Sequence, residues 1–468
     1  MKRRTVSLCL IARDEEGAIG LAIKSALALV DEVIVVDTGS RDNTRIIAEG
    51  YGARIVDFAW RDDFAAARNA ALDEAFGDWV LILDADERLE PLRPVDFQRL
   101  LANETAAGYR VERVDARTDS VAASRPVRLF RNQPEVRFRY PIHEQIAPAL
   151  AGWAAERGLA ILDSPVVVVH TGAARAGVAD RRERNQRILR RAIQEYPAEP
   201  YFDYQLARES LVTLDDEVLP VAGLAATLAA LERAWQKALA LPPAERGGLS
   251  YGADLIARLA ACRLAAGDAG AALAAVAAGR REWGPHPSVT LVEIAAATRL
   301  LAESGADLPP EQARRLAADT RREIGRLREG DLPPDALPAD PRGWNLYPLR
   351  YEGELALLEG RVDEASELFE KALTIDGGYS SAWLGLAECA RCAGDRKRAL
   401  QLYLRAVTAS EWNHRAWLRG SVVLDELGFH DNAASWRRQV AVHFPEHPAC
   451  AGAAGGAPAA RPQPQPAL

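Results

Sequence analysis

Asp84 and Asp86 stand two residues apart at the end of the apolar run Trp79–Leu83, a spacing that turns both carboxylates to one side of an extended chain end. Such a pair can hold a divalent cation, and a cation shared with phosphate oxygens neutralises the charge that builds as a diphosphate departs. Three other segments place polar groups after apolar runs. They are Ile11-Ala12-Arg13-Asp14-Glu15-Glu16, Val36-Asp37-Thr38-Gly39-Ser40-Arg41-Asp42-Asn43-Thr44 and Asp62-Asp63-Phe64-Ala65-Ala66-Ala67-Arg68-Asn69. Asp37 could accept the imide N–H of a uracil ring, or cap the turn at Gly39-Ser40; Asp42 reads as structural, within a tight turn that caps the next helix. Arg68 can pair with diphosphate oxygens from its helix, or serve as a surface charge. Downstream, Pro141-Ile142-His143-Glu144-Gln145 and Val166–Gly172 carry the two histidines of this half.

Positioning these groups falls to an alternating pattern. Val6–Ile11, Val33–Val36, Arg54–Val56 and Trp79–Leu83 read as strands; Ile19, Ile23, Ala26 and Leu27 recur at helical spacing, and Phe64–Ala75 is an alanine-rich amphipathic stretch. The strands are apolar on both faces, so a doubly wound, mostly parallel sheet with helices on both sides is expected, its polar segments at the carboxyl ends of the strands where open α/β sheets bind ligands.

Taken together and in this order, the segments resemble the GT-A glycosyltransferases of family 2, especially the subgroup of lipopolysaccharide-core glucosyltransferases and sublancin-type S-glycosyltransferases, over roughly residues 5–175. The resemblance implies a Rossmann-like GT-A domain that moves a hexose or N-acetylhexosamine from a UDP-sugar, with inversion and with Mg²⁺ or Mn²⁺. It places donor contacts at Ala12, Arg13, Glu15, Asp37, Arg68, Asn69 and Asp84, with Asp37 on the uracil and Glu15 on base or ribose. Asp86 becomes the metal ligand, and Asp84 contacts the ribose or a metal-bound water. His170, after a buried strand, either completes the metal shell or is a core histidine bonded to backbone. Inversion requires a general base opposite the leaving phosphate; Glu144 is the candidate, with His143 orienting the acceptor or assisting. Better-known members take the base from a Glu-Asp pair that is absent here. Arg125, Arg128, Arg131, Arg137 and Arg139, interleaved with Phe130, Phe138 and Tyr140, could line the acceptor side, but the solvated face of a strand gives the same pattern and is the preferred reading.

From about residue 180 the strand signal nearly vanishes. Gly360, Gly394 and Gly428 repeat every 34 residues, as do Ala365, Ala399 and Ala433, and Trp383 with Trp417. This resembles the tetratricopeptide repeat over 345–445, with degenerate repeats over 180–305, including Arg184–Leu211 and Leu255–Ala278. The Pro-rich stretch 305–345 reads as turns or a break in the array, and 451–468 as a disordered tail. The array suits presentation of a protein or peptide acceptor, internal packing, or self-association into a homo-oligomer.

The 468 residues carry a net charge of -8 and 26% charged side chains, which disfavours nucleic-acid wrapping. No run reaches the roughly 20 apolar residues of a membrane helix, and Thr5–Ile11 is too short for a secretory core, so a cytoplasmic protein is expected. Cys9, Cys262, Cys389, Cys392 and Cys450 are few and odd in number, as reduced thiols are; Cys389 and Cys392 form a CxxC with no second pair, which suits helix packing better than metal. Two other functional classes stay open: a repeat-based protein-binding scaffold with a non-catalytic glycosyltransferase-like domain, and nucleotidyl transfer. Against the first stands the intact Asp84-Ala85-Asp86; against the second, the acidic, glycine-poor Arg13–Glu16 where a phosphate loop would lie.

Overall fold

The computed structural model describes residues 3–115, 125–171, 178–214, 217–220, 223–304, 307–329 and 343–443. The chain divides into two compact units, Met1–Pro197 and Ala198–Leu468.

In the first unit the elements run β1 (Val6–Ala12), α1 (Ile19–Ala26), β2 (Glu32–Asp37), α2 (Thr44–Gly50), β3 (Arg54–Asp57), α3 (Phe64–Asp73) and β4 (Trp79–Ile82). They continue with β5 (Glu87–Leu89), α4 (Pro94–Leu101), β6 (Ala106–Asp115), β7 (Val127–Arg131), α5 (Ala147–Ala155), β8 (Ala160–His170) and α6 (Val178–Glu195). The sheet order is β3-β2-β1-β4-β7-β6-β8-β5. Its β3-β2-β1-β4 half is parallel throughout, as the βαβ pattern requires; β7 then pairs antiparallel with β4 and β6, and β5 antiparallel with β8. The sheet is therefore mixed, with the parallel half as expected and the rest built by longer-range pairing.

The apolar runs are continuous because each strand feeds two cores. Val6, Leu8, Leu10 and Ala12 pack with Ile19, Ala22, Ile23 and Ala26 of α1 on one face. Cys9, Ile34, Val36, Val80 and Ile82 pack with Ala65, Ala67, Ala71 and Leu72 of α3 on the other. β5, β6 and the first half of β8, which the sequence pattern did not reveal, complete the sheet with β7, where the alternation over Arg125–Tyr140 had suggested a strand. Helix α6, expected among the degenerate repeats, lies with this unit.

The second unit opens with α7 (Pro200–Arg208) and the hairpin β9 (Leu211–Leu214) and β10 (Glu217–Pro220), followed by α8 (Leu224–Ala240) and α9 (Pro243–Gly247). Paired helices then follow: α10 (Gly252–Ala265), α11 (Ala269–Trp283), α12 (Pro287–Ser304), α13 (Pro310–Glu329), α14 (Gly343–Leu358), α15 (Val362–Ile375), α16 (Ser380–Cys392), α17 (Arg396–Ala409), α18 (His414–Glu426) and α19 (His430–His443). The periodic glycines sit at the turns within pairs. Gly267, Gly360, Gly394 and Gly428 have φ of 85, 76, 82 and 85°, the left-handed geometry that ends a helix and that side chains resist. Part of the expected break over 305–345 is instead helix: Pro310 occupies the first turn of α13, where its missing N–H is harmless, so the Pro309-Pro310 pair starts a helix rather than interrupting one. The remainder of that stretch, the 451–468 tail and Cys450 lie outside the described residues. Cys9, Cys262, Cys389 and Cys392 are free thiols, and among the described residues no helix is long and apolar enough to cross a membrane.

Close packing between repeats is set by Phe369, which is fully buried. A Cβ added at Gly385 would lie 2.4 Å from its ring, and one at Gly353 would lie 2.8 Å from the same ring, so the ring is flanked by two bare backbones and has nowhere to retreat. Gly385→Ala should therefore lower the unfolding free energy of the chain by about 1–3 kcal/mol in urea denaturation, an overpacking penalty; an unchanged midpoint would refute this account of the packing.

Candidate active site

A cleft of about 880 Å³ opens in the first unit at the carboxyl ends of β1 and β4. The loops after β1 and β2 form one wall and are laced together. Asp14 N–H donates to Ser40 Oγ (3.0 Å) and Arg41 N–H to Asp14 Oδ1 (2.7 Å); Glu15 N–H donates to Thr44 Oγ1 (2.7 Å) and Glu16 N–H to Asp42 Oδ2 (3.0 Å). Asp42 also accepts from Thr44 N–H at 3.0 Å, which gives it the structural role its spacing suggested.

Two residues expected at the donor bond within the protein. Asp37 is 3% exposed: both its oxygens accept Ser40 N–H at 3.2 Å and Oδ2 accepts Arg45 Nη1 at 3.2 Å, bonds that cap the turn at Gly39-Ser40. Asn69 also points away from the cleft, its amide holding the Phe138 backbone in both directions, Nδ2–H to O at 3.0 Å and Oδ1 from N–H at 2.8 Å. Ala12, Arg13, Glu15, Arg68, Asp84, Asp86, His143, Glu144 and His170 all line the cleft.

Asp84 and Asp86 do not lie on an extended end. Glu87 N–H donates to Asp84 O at 2.9 Å and Asp84 N–H to Glu87 Oε2 at 3.0 Å, closing a tight turn that carries the chain from β4 to β5 at the far edge of the sheet. The two carboxylates then part. Asp84 Oδ1 accepts Arg68 Nη2 at 2.6 Å and Oδ2 accepts Arg128 Nη2 at 3.0 Å, so both oxygens of the carboxylate expected at the metal are ion-paired. Asp86, 6% exposed, has its Oδ2 3.2 Å from His170 Nε2, and Thr171 N–H and Oγ1–H donate to the Asp86 carbonyl at 3.0 and 2.9 Å. The register Glu87↔His170 brings this histidine in from the end of β8.

The ion pairs continue in both directions. Arg68, 6% exposed, donates its Nε–H to Glu144 Oε1 at 2.6 Å; at the other end Glu87 Oε1 accepts Arg128 Nη2 at 3.2 Å and Arg113 Nε at 2.6 Å. Arg68 was expected as a donor contact on its helix; the fold makes it a buried bridge between Asp84 and Glu144. Burial alone would raise the Asp84 carboxyl, but the charges and hydrogen bonds of Arg128 and Arg68 outweigh it and hold the group well below the usual carboxylate range. Against the opposing effect of burial, Arg68 is pushed upward by Asp84 and Glu144, and Arg128 by Asp84 and Glu87.

Sequence reasoning missed Glu87 and Arg128 as site residues. The alternation over β7 marked one face of the strand but not that this face meets Asp84. It also missed Phe64, within the third polar segment, and Trp60, Arg181, Arg184 and Asn185, which line the cleft from outside those segments. Backbone strain concentrates here: among the described residues the non-glycine positive φ values belong to Asp14 (53°), Asp62 (59°), Tyr140 (75°) and His143 (52°), and Asp14 and His143 line the cleft. Such strain persists where surrounding contacts over-determine it, commonly at ligand sites.

Residues 7–148 match the family model for Glycosyl transferase family 2, and residues 356–410 match a Tetratricopeptide repeat model. The first unit thus carries a family 2 glycosyltransferase domain and the second carries tetratricopeptide repeats. A TPR repeat-containing protein of Synechococcus elongatus is 39% identical over 200 residues, 42% of this chain and 50% of that protein. The lipopolysaccharide core biosynthesis glycosyltransferase LpsC of Rhizobium meliloti is 30% identical over 156 residues, 31% of this chain and 57% of LpsC. The chain thus spans about half the length of these relatives. Glucosyl-3-phosphoglycerate synthase from Mycobacterium tuberculosis, in complex with Mn²⁺ and UDP-glucose, is 23% identical, covering 40% of this chain and 77% of that one, with a TM-score of 0.31.

Because the Asp84 carboxyl is depressed in the fold, its contribution to stability is complete above its unfolded value of about 4 and is lost as pH falls below that toward the folded value. Urea unfolding between pH 6 and 3 should show wild-type stability falling in that window, and Asp84→Asn should show a shallower fall from a lower plateau. Equal slopes would mean that Asp84 is not held by its arginines.

Proposed function

We propose that the first unit is an inverting glycosyltransferase that moves a hexose or N-acetylhexosamine from a UDP-sugar to a protein, peptide or glycan acceptor with a divalent metal. What carries this reading is the convergence of the Asp86–His170 pair and the Arg68-bridged pair Asp84–Glu144 on one cleft at the carboxyl ends of parallel strands. The family match and the relative LpsC, itself named a glycosyltransferase, support the class of reaction.

The residues fit a metal of the Mg²⁺ or Mn²⁺ kind. A carboxylate oxygen and an imidazole nitrogen are ordinary ligands, and their 3.2 Å separation is close to that of neighbouring ligands in an octahedral shell, about 3 Å. Among the described residues no three His, Cys, Asp or Glu side chains group to hold a metal, so donor phosphate and water would supply the remaining ligands. When bound, the cation would offset charge on the departing diphosphate. Arg68 contributes a fixed positive charge beside that position and orients the Glu144 carboxylate, which takes the proton of the acceptor nucleophile. His143, adjacent and held in left-handed backbone, lines the acceptor path. In the second unit, a groove of about 610 Å³ lined by Arg350, Glu354, Glu388, Arg391 and Arg415 is suited to presenting a protein or peptide acceptor.

Calorimetric titration of UDP should show binding to wild type that strengthens with Mn²⁺, and Asp86→Ala should remove that dependence. Wild type that binds no UDP in either condition would sink the reading and leave the repeat-based scaffold in its place. Glu144→Gln should bind UDP as wild type does while sugar transfer falls by roughly a hundredfold or more; transfer within a fewfold of wild type would remove Glu144 as the base.

A further inference from the structure

We propose that the acceptor carries an anionic group, a phosphate or a carboxylate, close to the nucleophile that receives the sugar, and that Arg181, Arg184 and Asn185 hold it. The proposal rests on the glycosyl-transfer reading and names the substrate class of that same cleft.

Arg181, Arg184 and Asn185 lie at positions i, i+3 and i+4 of α6, on one helix face, and all three line the cleft. Their placement is fixed from further along the helix. Arg187 makes a two-pronged bond to Asp62, Nε to Oδ2 at 2.9 Å and Nη2 to Oδ1 at 3.0 Å, and Arg191 donates to the carbonyls of Arg61 and Asp62 at 3.1 and 2.9 Å. Asp62 also accepts the Trp60 indole N–H at 2.9 Å, so the helix and the aromatic wall of the cleft are tied to one carboxylate.

This basic face lies on the side of the candidate base. The Arg184 guanidinium sits 5.2 Å from the centre of the Phe64 ring, and Phe64 N–H donates to the Pro141 carbonyl at 2.8 Å, which begins the segment bearing His143 and Glu144. An acceptor that surrenders its proton to Glu144 therefore occupies the same cleft that α6 lines. Elsewhere the lining is mainly acidic: Asp14, Glu15, Glu16 and Asp42 repel an anion, Arg13 lies 3.9 Å from the Asp14 carboxylate, and Arg68 bridges two carboxylates. Arg184 Nη2 donates to Asn185 Oδ1 at 3.2 Å, which holds the two side chains together on the wall, and planar guanidinium forks match phosphate and carboxylate oxygens.

The test uses the full chain saturated with UDP and Mn²⁺ and three probes on one scaffold: glucose 6-phosphate, glucuronate and glucose. Calorimetry should show one or both anions binding at least tenfold more tightly than glucose, with the preferred anion separating a phosphate from a carboxylate acceptor. Arg181→Glu/Arg184→Ala should abolish that preference while UDP still binds. Anions that bind no better than glucose, or a preference that survives in the double variant, overturn the proposal. A variant that loses UDP affinity instead assigns the arginines to the donor diphosphate, which also overturns it. Failure of wild type to bind UDP at all indicts the glycosyl-transfer reading rather than the acceptor class.

Discussion

A carboxylate set at the end of strands that are apolar on both faces must find positive charge within hydrogen-bonding reach, and the architecture of the cleft follows from how that demand is met. Arg113, Glu87, Arg128, Asp84, Arg68 and Glu144 form an unbroken alternation of charge. Each member comes from a different part of the first unit: β6, β5, β7, the turn after β4, α3 and the segment before α5. The chain of charges therefore ties the parallel half of the sheet to the antiparallel half at the place where ligands would enter. With Asp84 so engaged, Asp86 pairs with His170 instead, two neighbouring aspartates with separate partners.

The parallel half was legible because burial on both faces writes itself into sequence as an uninterrupted apolar run. Val6–Ile11, Val33–Val36, Arg54–Val56 and Trp79–Leu83 each became a strand within a residue or two. The polar segments that follow them assembled at one edge because parallel strands must end on the same side. What stayed hidden depends on partners far away in the chain. Arg128 looked solvated because alternation on β7 cannot say which neighbour its face will meet. Asp37 suits both a ligand and a turn cap by type and position, and its bonds to Ser40 and Arg45 became visible only in the fold. The Asp84–Glu87 turn hid inside an apolar-to-acidic boundary whose backbone bonds have no signature in residue type.

Repeat periodicity was legible for a different reason. A helix that must stop and reverse every 34 residues needs a left-handed position each time, and glycine marks it at Gly360, Gly394 and Gly428, with Gly267 repeating the geometry earlier. Pro310 misled because proline reads as a breaker in the middle of a helix and as an opener at its start, and the strong amphipathic pattern after it favours the second.

Strand β8 lies between β6 and β5, and it is the last strand of its sheet to be synthesised. Until it arrives, β5 has no neighbour and Asp86 lacks the histidine that lies 84 positions further along. On a ribosome, the βαβ half can fold while the rest is still being made, but the cleft remains incomplete until residue 170 has left the exit tunnel. The parallel half of the nascent domain is thus assembled in advance of the cleft.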